Sequence, residues 1–311
     1  MPRRVLAVLG PTASGKSALG LELAERYNGE IINCDSTAVY RGFDIGTDKL
    51  STAARRGIPH HLIDIAEPTE VYTAAQFAAD AAAVIREIHA RDRLPILVGG
   101  TGFYYRALTR GLFPGPGADP TLRARLNTVA DRRGIERLHR WLQRVDPPSA
   151  ARIMPRDRVR LVRALEVYLT TGRPLTSHFE ATRSPIEDCA VTAVALALPP
   201  ALTAERVQRR VDEQFARGVV DEVRQLLTSG VPVDARPFGG LVYRQVMEML
   251  NGVRDEAATR ALITQENRRY ARRQLIWFRK EPNLMWFDGP GESPDTKRRV
   301  GDALDVLKGQ R

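Results

Sequence analysis

The feature that most restricts the fold sits at the start of the chain. The apolar run Val5–Leu9 leads straight into residues 10–17, Gly-Pro-Thr-Ala-Ser-Gly-Lys-Ser, and a helix-compatible stretch runs on from Lys16 to Tyr27. A strand, a G-x-x-x-x-G-K-S turn and a helix in that order form a phosphate cradle. Backbone amides of the turn and of the helix N-terminus converge on one anion. Lys16 adds a point charge, and the Ser17 hydroxyl can ligate Mg2+. The candidate phosphate-binding set is Gly10, Pro11, Thr12, Ala13, Ser14, Gly15, Lys16 and Ser17. The motif alone leaves open whose phosphate is held.

Further strands are predicted at Glu30–Cys34, Leu94–Val98, Ala190–Leu198 and Leu284–Phe287, each short, apolar and bounded by turn or charged residues. Helical patterns lie between them at Ala74–Arg91 and Ala204–Ala216. Strands alternating with helices predict an α/β fold, a P-loop parallel sheet flanked by helices. The alternation breaks after the turn cluster Phe-Pro-Gly-Pro-Gly-Ala-Asp-Pro at residues 113–120. The chain beyond this cluster reads as helical and carries no strand signal until about residue 189. The expected organisation is therefore a core made of 1–112 and 189–311, with an all-helical insertion domain over 113–188.

Charge singles out the same segment. The chain has a net charge of +10, and only five of its 47 basic residues are lysine. From Gly115 to Arg183 there are fourteen Arg and no Lys against seven acidic residues. A basic surface of this kind points to an anionic partner such as nucleic acid. No run of about eighteen apolar residues predicts a membrane span, and the first residues read as a buried strand, not a signal peptide. Cys34 and Cys189 are too few for a disulfide framework or a metal cluster, and are expected as free thiols in a reducing cytoplasm.

Asp35 ends the second strand, beside the cradle, where ligands bind in open α/β sheets. It can serve as a Mg2+ ligand, a general base or a turn residue. After the strand Leu94–Val98 come Gly99, Gly100, Thr101 and Gly102, where a hydrolytic kinase-type site would place an acid. No Asn-Lys-x-Asp guanine motif is present. Both points weaken a nucleotide-triphosphate reading.

Taken in order, GPTASGKSALG, DSTAVYRGFDIGTDK, GIPHHLIDI, PILVGGTGFYYRAL, DRVRLVRALEVYLTTGRPLT and RRYARRQLIWFRK resemble the tRNA dimethylallyltransferases, the bacterial isopentenyl-tRNA transferases. The resemblance runs over most of the chain. It implies transfer of a dimethylallyl group from dimethylallyl diphosphate to N6 of adenosine-37, beside the anticodon of tRNAs reading codons that begin with U. The cradle at 10–17 would then hold a diphosphate, with Mg2+ at Ser17 and no redox cofactor. By the same resemblance Asp35, Thr12 and Lys16 are the catalytic residues. The tRNA contacts would come from Asp35, Ser36, Thr37, Ala38, Thr101, Arg123, Val159, Arg160, Leu161, Val162 and Arg163. A cytoplasmic monomer is expected. The rival readings are a P-loop nucleoside or small-molecule kinase and a non-catalytic basic RNA-binding P-loop protein.

The sequence departs from the family pattern at Thr37 and Ala38, where Met and Gln are usual, at Val242, where glycine is usual, and at Asn267, where threonine is usual. Arg269, Arg272, Arg273 and Lys280 are expected to line a basic stripe, with Tyr270 and Trp277 packed in the core. His60 and His61 are expected in core or turn. Arg217 is a looser candidate for a diphosphate clamp.

Overall fold

The computed structural model describes residues 3–309. The chain runs β1 (Arg3–Leu9), α1 (Lys16–Tyr27), β2 (Gly29–Asn33), β3 (His60–His61), α2 (Ala74–Ala90), β4 (Leu94–Gly99), α3 (Gly102–Arg110), α4 (Pro120–Arg133), α5 (Ile135–Val145), α6 (Pro147–Arg152), α7 (Arg158–Thr171) and α8 (Leu175–His178). It continues with β5 (Cys189–Ala197), α9 (Pro200–Ala216), α10 (Val219–Thr228), α11 (Leu241–Leu250), α12 (Glu256–Phe278), β6 (Leu284–Asp288) and α13 (Pro294–Gly309). Two compact units result, one of residues 1–109 and 185–311, the other of residues 110–184. No helix among the described residues is long and apolar enough to cross a membrane.

The first unit is built on a parallel sheet in the order β3-β2-β4-β1-β5-β6. Five of these strands stand within a residue or two of the expected positions. The alternation of β1 explains the layering. Val5, Ala7 and Leu9 enter one apolar cluster with Phe77, Ile85 and Ile88 of α2. Leu6 and Val8 enter the opposite cluster with Leu19 and Leu23 of α1 and Val300 and Leu304 of α13. A sheet buried on both faces needs continuously apolar strands, which is what makes them legible in sequence.

Two expectations are corrected. His60 and His61 form the sixth strand, at the sheet edge beside Ile31 and Ile32. His61 Nε2 lies 2.6 Å from Glu30 Oε2, and Arg91 donates to the same oxygen at 2.8 Å. The strand is held by the His61–Glu30 hydrogen bond as well as by ladder bonds, so no apolar run announces it. In addition, α9 begins at Pro200 and not at Ala204, with proline in the first turn, where its missing N–H costs nothing.

The second unit, residues 110–184, is all helical. Asp119, Asp146 and Asp157 cap α4, α6 and α7 by accepting from Leu122, Ser149 and Arg160 amides. Its core is Leu126, Leu138, Leu142, Leu161 and Leu165, with buried Asp146 and Glu166. Burial, the largest influence on both carboxyls, would raise their pKa, but surrounding donors overcome it and hold both below the ordinary value. For Asp146 the donors are Thr176 and Ser149, and for Glu166 they are Arg123, Arg163 and the Asp119 amide.

Candidate active site

The turn between β1 and α1 closes through left-handed backbone at Ala13 (φ 62°) and Gly15 (φ 82°). Glycine is required at 15 for a second reason. A β-carbon there would collide with the Glu292 carboxylate and stand 2.7 Å from the Gly291 amide. The first turn of α1 itself contains no acidic residue.

The turn borders a cavity of about 570 Å3. Thr12, Lys16 and Ser17 contribute from the turn, and Asp35, Thr37 and Ala38 from the segment after β2. Lys16 Nζ donates to Pro11 O at 3.3 Å. Burial, reinforced by the Arg210 guanidinium, lowers the Lys16 pKa from 10.5 to about 8, while Asp35 and Asp48 oppose the shift. The Asp35 carboxylate is oriented by its neighbour: Oδ1 accepts from Thr37 N at 2.9 Å and from Thr37 Oγ1 at 2.6 Å. Thr37 thus holds the candidate base. Ala38 is buried.

The glycine cluster after β4 has a steric explanation. A β-carbon at Gly99 would overlap the Cys34 carbonyl, one at Gly100 the Gln274 amide, and one at Gly102 the Trp277 ring. The glycines let α12 lie directly on the ends of β2 and β4. Thr101 ties the same region together, since its Oγ1 accepts from Ser36 N at 3.0 Å and its amide donates to Cys34 O at 3.1 Å.

On α12, Arg269, Tyr270 and Arg273 line the cavity, and the Arg273 guanidinium sits 5.6 Å from the Tyr270 ring centroid. Arg272 is exposed and lies outside the cavity lining, and Lys280 comes after the helix. Tyr270 is therefore a wall residue, not the core residue expected. Burial, then the charge of Asp35, pushes its phenol pKa upward. Trp277 is packed as expected, with the Arg106 guanidinium 4.4 Å above its ring.

Three important residues were not singled out from sequence. Gln274 Oε1 accepts from Thr12 N at 2.8 Å, and its Nε2 donates to Gly100 O at 2.9 Å. Arg210, within a run of arginines on α9, lines the cavity and pairs with Asp48. Asp48 was hidden inside a turn-like stretch. Arg217, the candidate clamp, also pairs with Asp48 at 3.3 Å, but does not line the cavity. Val242 sits in the core and leaves Tyr243 and Arg244 on the cavity wall, with Tyr243 Oη donating to Glu222 at 2.6 Å. Asn267 also faces the cavity.

In the second unit the named residues divide. Leu161 and Val162 are core, which removes their side chains from any surface contact. Arg123 and Arg163 both grip Glu166, at 2.8 and 2.6 Å. Val159 (79% exposed) and Arg160 face solvent, Arg160 paired with Asp157 at 2.6 Å.

A parallel sheet with a G-x-x-x-x-G-K-S turn and Asp35 beside one cavity is the arrangement of a P-loop α/β protein. The family model described as IPP transferase matches residues 38–281. A tRNA dimethylallyltransferase of Geobacter metallireducens is 47% identical over 93% of this chain and 94% of its own, and one of Solibacter usitatus 44% identical over 98% and 99%. Among solved structures, the tRNA isopentenylpyrophosphate transferase of Bacillus halodurans superposes with a TM-score of 0.72 at 35% identity, covering 99% of this chain and 96% of that one. A eukaryotic dimethylallyltransferase acting on tRNA shares the fold, with a TM-score of 0.79 at 24% identity over 99% of this chain and 80% of that one. The chain belongs to the IPP transferase family and is a prenyl-transferring enzyme.

Proposed function

We propose that the cavity joins dimethylallyl diphosphate to N6 of adenosine-37 in tRNAs reading codons that begin with U. The observation that carries this reading is the placement of Lys16 and Asp35 on one cavity, a cation at the cradle and a carboxylate beside it. The N6 lone pair attacks C1 of the dimethylallyl group. The C1–O bond breaks, and its electron pair leaves on the diphosphate. The N6 proton passes to Asp35, whose Oδ1 is fixed by Thr37. Charge gathering on the leaving group is met by the amides at the N-terminus of α1, by Lys16 and by Arg210. Thr12 lines the cavity at the cradle and in this reading would stand beside the bridging oxygen.

The Ser17 hydroxyl on the cavity is an oxygen donor that suits a hard cation. Mg2+ held there with the diphosphate oxygens would supply charge neutralisation.

Residues 110–184 supply phosphate contacts to tRNA in this reading. Their helices present arginines beyond those used internally, and Arg160 is the clearest example because its recorded partner is an aspartate three residues away on the same surface. Thr37 binds Asp35 directly and Ser36, the next residue, donates its amide to Thr101 Oγ1, and in this reading all three belong to the approach of the target base.

One assay tests the whole reading. The protein is incubated with dimethylallyl diphosphate labelled in the prenyl group, or with γ-labelled ATP, each with and without tRNA. The expected result is prenyl label in tRNA alone. Transfer of the ATP label would instead establish a kinase.

A further inference from the structure

The loop between β2 and β3 carries a carboxylate with an unusual setting. Asp48 adopts left-handed backbone (φ 53°), a conformation that aspartate tolerates better than most residues. Its side chain meets one face of α9. Oδ2 meets Arg210 Nε and accepts from Gln214 Nε2 at 2.8 Å, while Oδ1 lies 3.3 Å from Arg217 Nη1. Positions 210, 214 and 217 succeed one another at the spacing of a helix face.

The loop that presents Asp48 is itself tied down. Glu222 accepts from the amides of Asp44 at 3.1 Å and Ile45 at 2.7 Å, and Tyr243 Oη accepts from the Gly46 amide at 3.1 Å. The buried Lys49 ammonium donates to Tyr40 O and to Asp64, both at 2.5 Å. A carboxylate on such a loop is a fixed partner and not a passing surface ion.

Arg210 and Lys16 line the same cavity. Two cations in a partly desolvated space repel each other, and each disfavours the charge of the other. Lys16 is faced by Arg210 from α9, by Asp35 and Cys34 from the end of β2, and by Asp48 from this loop.

We propose that Asp48 is a positioning residue of the phosphate pocket: it holds Arg210 against the cavity beside Lys16 and supplies the counter-charge that lets both cations wait there for a diphosphate. The inference rests on reading the cavity as a diphosphate site. A carboxylate that simply lay near the anion would do the opposite and weaken binding by repulsion, so the sign of the effect is diagnostic.

The test is calorimetric titration of the full chain with inorganic pyrophosphate and Mg2+. It compares the unmodified protein with Asp48→Asn, Asp48→Gly, Arg210→Met and the double variant Asp48→Asn/Arg210→Met. Asp48→Gly is included because glycine suits the left-handed backbone and keeps the loop foldable if the asparagine variant does not fold. Each Asp48 variant is expected to bind pyrophosphate about tenfold more weakly, the scale of coupling between contacting charges. The double variant is expected to lose no more than Arg210→Met alone. A purely structural role would not make the Asp48 loss vanish in the Arg210→Met background. Equal or tighter binding in both Asp48 variants, or fully additive losses with Arg210→Met, would overturn the proposal and leave the diphosphate site standing. Absence of pyrophosphate binding by the unmodified protein would instead remove the diphosphate reading itself.

Discussion

The Gln274 side chain and the Thr12 backbone meet across 262 residues of sequence: Gln274 Oε1 accepts the Thr12 amide proton at 2.8 Å, while Nε2 donates to Gly100 O at 2.9 Å. Both contacts are buried, so one amide clamps the phosphate turn and the end of β4 to α12. Removing it should hurt stability and turnover together. Gln274→Ala strands a buried amide and a buried carbonyl, each costing about 1–3 kcal/mol. A loss of about 2–4 kcal/mol in chemical denaturation is expected, with Gln274→Glu intermediate because it keeps the acceptor. An unchanged denaturation midpoint in the alanine variant would show that water replaces the clamp.

Asp35 should matter to chemistry and little to affinity. Asp35→Asn is expected to reduce single-turnover prenylation by about 10²- to 10⁴-fold, the range for loss of a general base. Binding of tRNA in a filter assay should hold within a few fold, since phosphate contacts carry most of the affinity. Thr37→Val, which removes the hydroxyl donor to Asp35 Oδ1, should give a smaller fall in the same direction.

Lys16 sets an alkaline limit. Its folded pKa is lowered from 10.5 to about 8, so the cation that attracts a diphosphate is present below that pH and lost above it. Affinity for the donor should therefore begin to fall as pH rises through about 8, well before it would for an ordinary lysine. Bound diphosphate favours the protonated form, so saturating donor should move the limb upward. Measuring KM for the donor from about pH 7 to about pH 10, with Lys16→Arg as the comparison, separates this from general alkaline instability.

The arginines of residues 110–184 should separate into two kinds. Arg160→Glu is expected to weaken tRNA binding and to flatten its salt dependence by about one unit of slope, as for one lost phosphate contact. Its melting temperature should hardly change, because the pair with Asp157 lies at the surface. Arg163→Glu should lower the melting temperature instead, since it places a second acid against Glu166, whose side chain is wholly buried. Equal effects of the two variants on both readouts would remove the distinction.

Acid should act first on the interior of residues 110–184. The Asp146 and Glu166 pKa values are depressed in the folded state, so their contribution is present above the unfolded carboxylate range and is lost as pH falls through the folded values. Hydrogen exchange during acid titration should open α6 and α7 more than β1 and β4, which are held by apolar burial. Loss of protection in β1 and β4 before α7 would contradict this order.

Local sequence determined the phosphate turn, the five apolar strands and the Arg-rich helical segment. Each of these is written in contiguous residues: a fixed glycine spacing, runs apolar on both faces, and a charge bias without strand signals. Asp35 was legible because it ends a strand beside the cradle. The tertiary structure alone decided the rest of the site, because its interactions join residues far apart in sequence. Gln274 lies in a helix whose exposed and buried faces give no hint of a phosphate turn until α12 is laid across Gly100. Asp48 and Arg210 each resemble ordinary surface charges until the loop after β2 meets α9. Arg123 and Arg163 read as free cations, and only packing around Glu166 showed that their charge is largely spent inside the protein. Sequence periodicity reports which face of an element is apolar, whereas the partner of a polar side chain is fixed by which elements pack together.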